Sequence, residues 1–149
     1  MHAKTAATIA AFAMLASCGD EPGTVIDRTH PPHVKAGLWV ETTVEDGTAR
    51  PPLRYCDGGR PIFGGWSSDC PRSDTRITRD GAIVDDTVCK SRGMTLRLHR
   101  RLVGDLNAHY VDDISSVNEA PGQPTIKGTV HSEYRYLGPC PPGMKVFAG

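Results

Sequence analysis

The chain has 149 residues, 17 Lys and Arg against 17 Asp and Glu, 16 Gly and 12 Pro. That is one-domain length, and the even charge lacks the basic excess of a phosphate-reading domain, which excludes a dedicated nucleic-acid binder. The Gly and Pro content favours turns and short strands over helices.

Residues 1–17, "MHAKTAATIAAFAMLAS", begin with a positive Lys4 and continue as a short apolar run. About 20 apolar residues are needed to span a bilayer core, so this run is expected to be a signal peptide, removed in the mature protein. Its end, Leu15-Ala16-Ser17-Cys18, resembles the lipobox of bacterial lipoproteins: an aliphatic residue, two small residues, then cysteine. Small side chains let the backbone enter a narrow protease cleft, and the Cys18 thiol is the acceptor for a diacylglyceryl group. Ordinary cleavage after "AFA" is the competing reading, and it leaves Cys18 as a stray thiol. The resemblance implies a mature chain that starts at Cys18 and carries three acyl chains, palmitate among them. One chain holds a protein to a membrane only marginally, whereas two or more anchor it stably. Acylation also accounts for an odd count of five cysteines.

The stretch from Cys18 to Lys35, "CGDEPGTVIDRTHPPHVK", is rich in charge, proline and turn formers. It is expected to be a flexible tether reaching on the order of 50 Å when extended. His30-Pro-Pro-His33 offers two imidazoles, but a zinc ion takes three or four protein ligands and no third is near, so no metal site is assigned.

From residue 36 onward the chain alternates with period two, the mark of half-buried strands. In "GLWVETTVED" Leu38, Val40, Thr42 and Val44 fall on one face and Trp39, Glu41, Thr43 and Glu45 on the other. A turn at Asp46-Gly47 and a short strand "LRYC" follow. Asp57 to Pro71 is a glycine- and proline-rich loop, and Ile62, Phe63 and Trp66 form an apolar trio within it. That trio is expected to cap one end of the sheet. With Trp39, Phe63 and Trp66 are the candidate contacts for a ligand or partner. The glycines there lack the Lys and Ser/Thr of a phosphate loop.

Asp80-Gly81 is a strong hairpin signal, and a two-residue turn there pairs Arg79 with Ala82. On that register Cys70 and Cys89 are one diagonal step apart, at the edge of disulfide reach, and a bulge near Pro71 or a longer turn would close the gap. Gly104-Asp105 marks a second turn. Leu96 and Leu98 alternate before it, and Tyr110 and Asp112 after it. The adjacent pairs Asp85-Asp86 and Asp112-Asp113 place neighbours on opposite faces. Neither pair is an acid–base dyad, though one Asp from each can face a shared interior. The basic run Arg97, His99, Arg100 and Arg101 reads as an outward, solvated face; the alternative is a contact with anionic lipid heads or with a polyanion such as lipopolysaccharide or peptidoglycan. In the last strand, "TIKGTVHSEYRYLG", Ile126, Val130, Tyr134 and Tyr136 share a face opposite Lys127, Thr129, His131, Glu133 and Arg135.

These elements predict an all-β domain over residues 36–149. It is an antiparallel meander of six to eight strands, curled into a barrel or half-barrel that shortens exposed edges. If Cys18 is acylated and Cys70 pairs with Cys89, then Cys56 and Cys140 remain to bridge the second strand to the last.

"KAGLWVETTV", the cysteine after the second strand, "GDLNAHY" and the closing "YLGPCPPGM" resemble a widespread group of small secreted bacterial proteins classed as a domain of unknown function. The resemblance spans about Lys35 to Met144. It implies an envelope β domain with two disulfides and carries no activity with it. No Gly-x-Ser-x-Gly elbow occurs, and no thiol is left over for covalent catalysis. The expectation is therefore a membrane-anchored, periplasm-facing protein that is not an enzyme and needs no cofactor. It would bind a small apolar or envelope-derived ligand; alternatively it is a structural or protein-interaction factor, such as an inhibitor of an envelope hydrolase.

Overall fold

The computed structural model describes residues 23–26, 30–62, 70 and 72–147. Cys18, Phe63 and Trp66 lie outside the described residues. Every regular element among them is a strand: β1 Thr24–Val25, β2 Gly37–Glu45, β3 Thr48–Ala49, β4 Leu53–Asp57, β5 Arg72–Ile77, β6 Ile83–Ser91, β7 Met94–Asp105, β8 His109–Glu119, β9 Ile126–Gly138 and β10 Val146–Phe147. They form one sheet in the order β1-β5-β6-β7-β8-β9-β2-β4-β10, with β3 paired to β2. All pairings are antiparallel except β10 on β4.

The expected all-β, disulfide-stapled, antiparallel architecture is present. Its connectivity is a meander from β5 to β9, and the first long strand, β2, pairs with the last, β9. The sheet nonetheless stays open and uncurled, forming neither the barrel nor the half-barrel expected. Its two ends, β1 and β10, do not pair, because the break falls between β4 and β5. The chain leaving β4 folds over the sheet instead of continuing the ladder. Asp57, 1% exposed, accepts from the Gly59 and Arg60 N–H groups at 2.8 and 2.9 Å. That capped turn sends residues 60–62 back toward Val34, whose N–H donates to the Arg60 carbonyl.

The stretch expected to be a tether is docked in two places. Thr24 and Val25 pair with Ile77 and Arg76. Val34 is 2% exposed and belongs to the core. Burial of Ile26 and Val34 is what holds these segments, a gain that the surrounding charge and proline conceal in the sequence.

Both disulfides form as expected. Cys70 is bonded to Cys89, and Cys56 to Cys140 with their Cα atoms 5.6 Å apart. The hairpin turn is one residue longer than two: Thr78 N–H donates to the Ala82 carbonyl, and Ile77 pairs with Ile83. The Cys56–Cys140 bridge does not join the two edges of the sheet. It crosses the end of β2, which lies between β9 and β4.

Candidate functional site

One face of the sheet is covered; the other is open over β7, β8 and β9, although Val84 of β6 is buried on it. Period two assigns Thr75, Ile83, Asp85, Thr87, Leu102, Tyr110, Asp112, Ser132, Tyr134, Trp39 and Tyr55 to the covered face, and all are buried. Trp39 is its centre. Its ring is 0% exposed and meets Tyr110 and Tyr136 edge-on at 5.6 and 5.4 Å. Tyr110 stacks on Tyr134 at 4.4 Å. Such pairs add about 0.5–1.5 kcal/mol each beyond burial. Trp39 Nε1 donates to the Lys35 carbonyl at 2.9 Å. Trp39, a candidate ligand contact from the sequence, is therefore a core residue with no surface to offer.

Polar groups fill the rest of this face, and most are satisfied; Asp57 Oδ2 and Asn118 Oδ1 are buried without a hydrogen-bond partner. Thr75 and Thr87 hydroxyls donate to Asp85 at 2.6 and 2.9 Å. Arg100 donates to both Asp112 oxygens and to the Ile62 carbonyl. The Tyr134 and Thr43 hydroxyls donate to Glu41 Oε1, each at 3.0 Å. Burial pushes the Tyr55, Tyr110 and Tyr134 phenols above their ordinary pKa, so they stay neutral donors. The adjacent aspartates divide as alternation requires: Asp85 and Asp112 point in, and Asp86 and Asp113 point out. Arg100 turns inward, unlike the outward reading of the basic run; Arg97, His99 and Arg101 face out.

The outward face holds an open depression of ≈ 310 Å³ over β7, β8, β9 and the β2 end. His99, Arg101, Asp113, Ser115, Thr129 and His131 give it chemistry. Two imidazoles are held alike. His99 Nδ1 donates to Asp86 at 2.7 Å, and His131 Nδ1 donates to Asp113 at 2.6 Å. Because a carboxylate only accepts, each ring keeps its Nδ1 proton and leaves Nε2 as the atom available to a ligand. Outside the depression His109 Nε2 bonds Glu133 at 2.8 Å. The sequence reading missed these pairs, because they join residues on different strands.

Asp86, His99 and Ser115 lie in one cross-strand row, an order also found in acyl-transfer sites. An oxyanion site needs backbone N–H groups aimed at the developing charge. β8 is paired on both sides at Ser115, to His99 and to Thr129, so its ladder N–H groups lie within the sheet. Among the described residues no group of three or more His, Cys, Asp or Glu converges on a cation position. His33 instead uses Nδ1 on the Gly59 carbonyl at 2.7 Å.

Comparisons with protein families, with curated proteins and with solved structures found no match for this chain.

Proposed function

We propose that this chain is a lipid-anchored protein of the bacterial envelope, facing the periplasm. Its outward sheet face holds an envelope-derived, hydroxyl- and anion-bearing ligand without catalysing a reaction. Anchoring rests on the Leu15-Ala16-Ser17-Cys18 sequence. The two disulfides accord with an oxidising compartment. The observation that carries the binding reading is the pair of carboxylate-held imidazoles, His99 and His131, lining one open depression with Arg101, Ser115 and Thr129. Guanidinium and imidazole donors suit carboxylate or phosphate groups, and Ser, Thr and Asp suit sugar hydroxyls. A small apolar ligand inside the sheet is the weaker form of the reading, because Trp39, the tyrosines and the Arg100–Asp112 pair occupy the covered face.

The test titrates the mature lipoprotein in detergent micelles with peptidoglycan fragments and with lipopolysaccharide core oligosaccharide, following the histidine ring resonances. The expected result is that His99 and His131 shift together with one of these, and that Arg101→Ala/Ser115→Ala suppresses those shifts while the melting temperature holds. Rings that respond to neither class defeat the proposal.

A further inference from the structure

We infer that the end of the sheet formed by β1, the β5–β6 turn and the β7–β8 turn rests on the lipid surface that carries the anchor. This deepens the proposal above and depends on acylation of Cys18. Five residues, Gly19 to Gly23, separate Cys18 from Thr24, where the chain is already paired into the sheet as β1. Fully extended, that segment reaches only about 20 Å, far less than the tether expected from composition. Gly23 pins the exit. A Cβ there would overlap the Ile77 carbonyl, so the chain passes against the β5 backbone with no room for a side chain. On the far side of β1, Ile26 N–H donates to the Thr75 carbonyl at 3.0 Å, and Ile26 packs on the core. The anchor therefore emerges beside Ile77.

Three exposed apolar side chains sit at this end: Val25 at 72%, Ile77 at 40% and Val103 at 42%. Thr24 pairs with Ile77, Ile77 with Ile83, and Ile83 with Leu102, the neighbour of Val103. Arg79 lies in the same turn, and Arg101 binds Asp80 beside it. Apolar side chains bordered by arginines fit the boundary between headgroups and acyl chains, where guanidinium heads stay in the polar layer. A lipid surface is the one apolar phase that the anchor holds within reach. β7 runs 12 residues away from this end, which is roughly 40 Å at strand rise. The β6–β7 turn and the β8–β9 loop thus stand farthest from the membrane, turned toward the periplasm.

The test uses the full acylated protein, isotope-labelled, in phospholipid nanodiscs doped with a gadolinium-headgroup lipid. The expected result is amide signal loss at residues 77–82 and 103–106 several-fold greater than at 91–94 and 120–126. Inserting ten Gly and Ser residues between Pro22 and Gly23, which leaves the sheet untouched, should erase the difference, and so should Ile77→Asp/Val103→Asp. Equal loss at both ends, or greater loss at 91–94, overturns the inference. Mass measurement of the same sample separates the two failures. Acyl mass on Cys18 with no end preference defeats the orientation alone, whereas absence of acyl mass defeats the anchor and the orientation together.

Discussion

Arg100 and Asp112 lie two strand positions apart on neighbouring strands and meet through three hydrogen bonds, 2.8 and 2.9 Å from Nε and 2.6 Å from Nη2. The Asp112 side chain is 5% exposed and that of Arg100 21%. Burial alone disfavours the Arg100 cation. The hydrogen bonds and charge of Asp112 outweigh it and hold the guanidinium pKa above its ordinary value. Removing one partner leaves a buried charge without its counterion, which costs about 3–5 kcal/mol. Asp112→Ala should therefore lower the denaturation midpoint sharply, whereas Arg100→Met/Asp112→Leu should recover much of the loss. Chemical denaturation of the three proteins checks this. A double variant no more stable than Asp112→Ala would show that the pair does more than neutralise itself.

The two disulfides close loops of different length. Cys56 and Cys140 are 84 residues apart in sequence, and Cys70 and Cys89 are 19 apart. Chain entropy assigns about 4.5 kcal/mol to the first and about 3 kcal/mol to the second. The first also holds residues 139–147 against β4, where Val146 and Phe147 pair with Cys56 and Asp57. Cys56→Ser/Cys140→Ser should depress the melting temperature more than Cys70→Ser/Cys89→Ser does. Calorimetry of the two double variants decides, and the reverse order would mean that the hairpin bridge bears more of the fold.

Asp86 sets an acid limit on stability. It accepts from His99 at 2.7 Å and from Arg76 Nη1 at 2.8 Å. Partial burial raises its pKa, but the bonds and charges of His99 and Arg76 outweigh this and hold it below the ordinary value. A carboxyl group depressed in the folded state binds its proton more weakly there than in the unfolded chain. Its contribution is full above the unfolded value, about 3.9, and is lost as pH falls through the lower folded value. Asp80 and Glu133 are depressed in the same direction. The melting temperature should fall on acidification across that window, and Asp86→Asn should flatten part of the slope. Superimposable pH profiles for parent and variant would remove Asp86 from the account.

Much of the covered face was legible as alternation. Tyr110 with Asp112, Tyr134 with Tyr136, and the split of each aspartate pair all follow from period two. Three features were not. The covered side of β2 is the Trp39–Glu41–Thr43 side, because neighbouring hydroxyls and tyrosines satisfy its polar atoms, and composition cannot anticipate that pairing. The β7–β8 turn falls at Leu106–Ala108 and not at Gly104-Asp105, because the Asp105 carboxylate accepts from the Asn107 backbone and side chain at 2.8 and 3.0 Å. The His–Asp pairs depend on register. For His99 the signal was present: Arg92-Gly93 is a two-residue turn that pairs Ser91 with Met94, and five steps back and five forward meet Asp86 and His99. His131 offers no such route, because the β8–β9 loop has no tight-turn signature.

The opening Gly-Leu-Trp of the first long strand has a physical reason at its glycine. Gly37 has φ of 147°, in the region that side-chain-bearing residues rarely adopt. A Cβ there would overlap the Tyr136 ring and come 2.6 Å from the Gly138 carbonyl oxygen. Both neighbours are constrained. Tyr136 packs edge-on against Trp39, with the Lys35 ammonium 4.2 Å from its ring centroid. Gly138 pairs with Leu38 where the β2–β9 register shifts. Gly37→Ala should therefore destabilise the domain twice over, through a strained backbone of about 1–3 kcal/mol and through displacement of Tyr136 from Trp39. Gly37→Ala/Tyr136→Ala relieves only the ring overlap, because the Gly138 oxygen belongs to the backbone. The double variant should thus stay well below Tyr136→Ala in melting temperature. If Gly37→Ala costs nothing in either background, the close approach of β2 to the end of β9 is not a constraint on the fold.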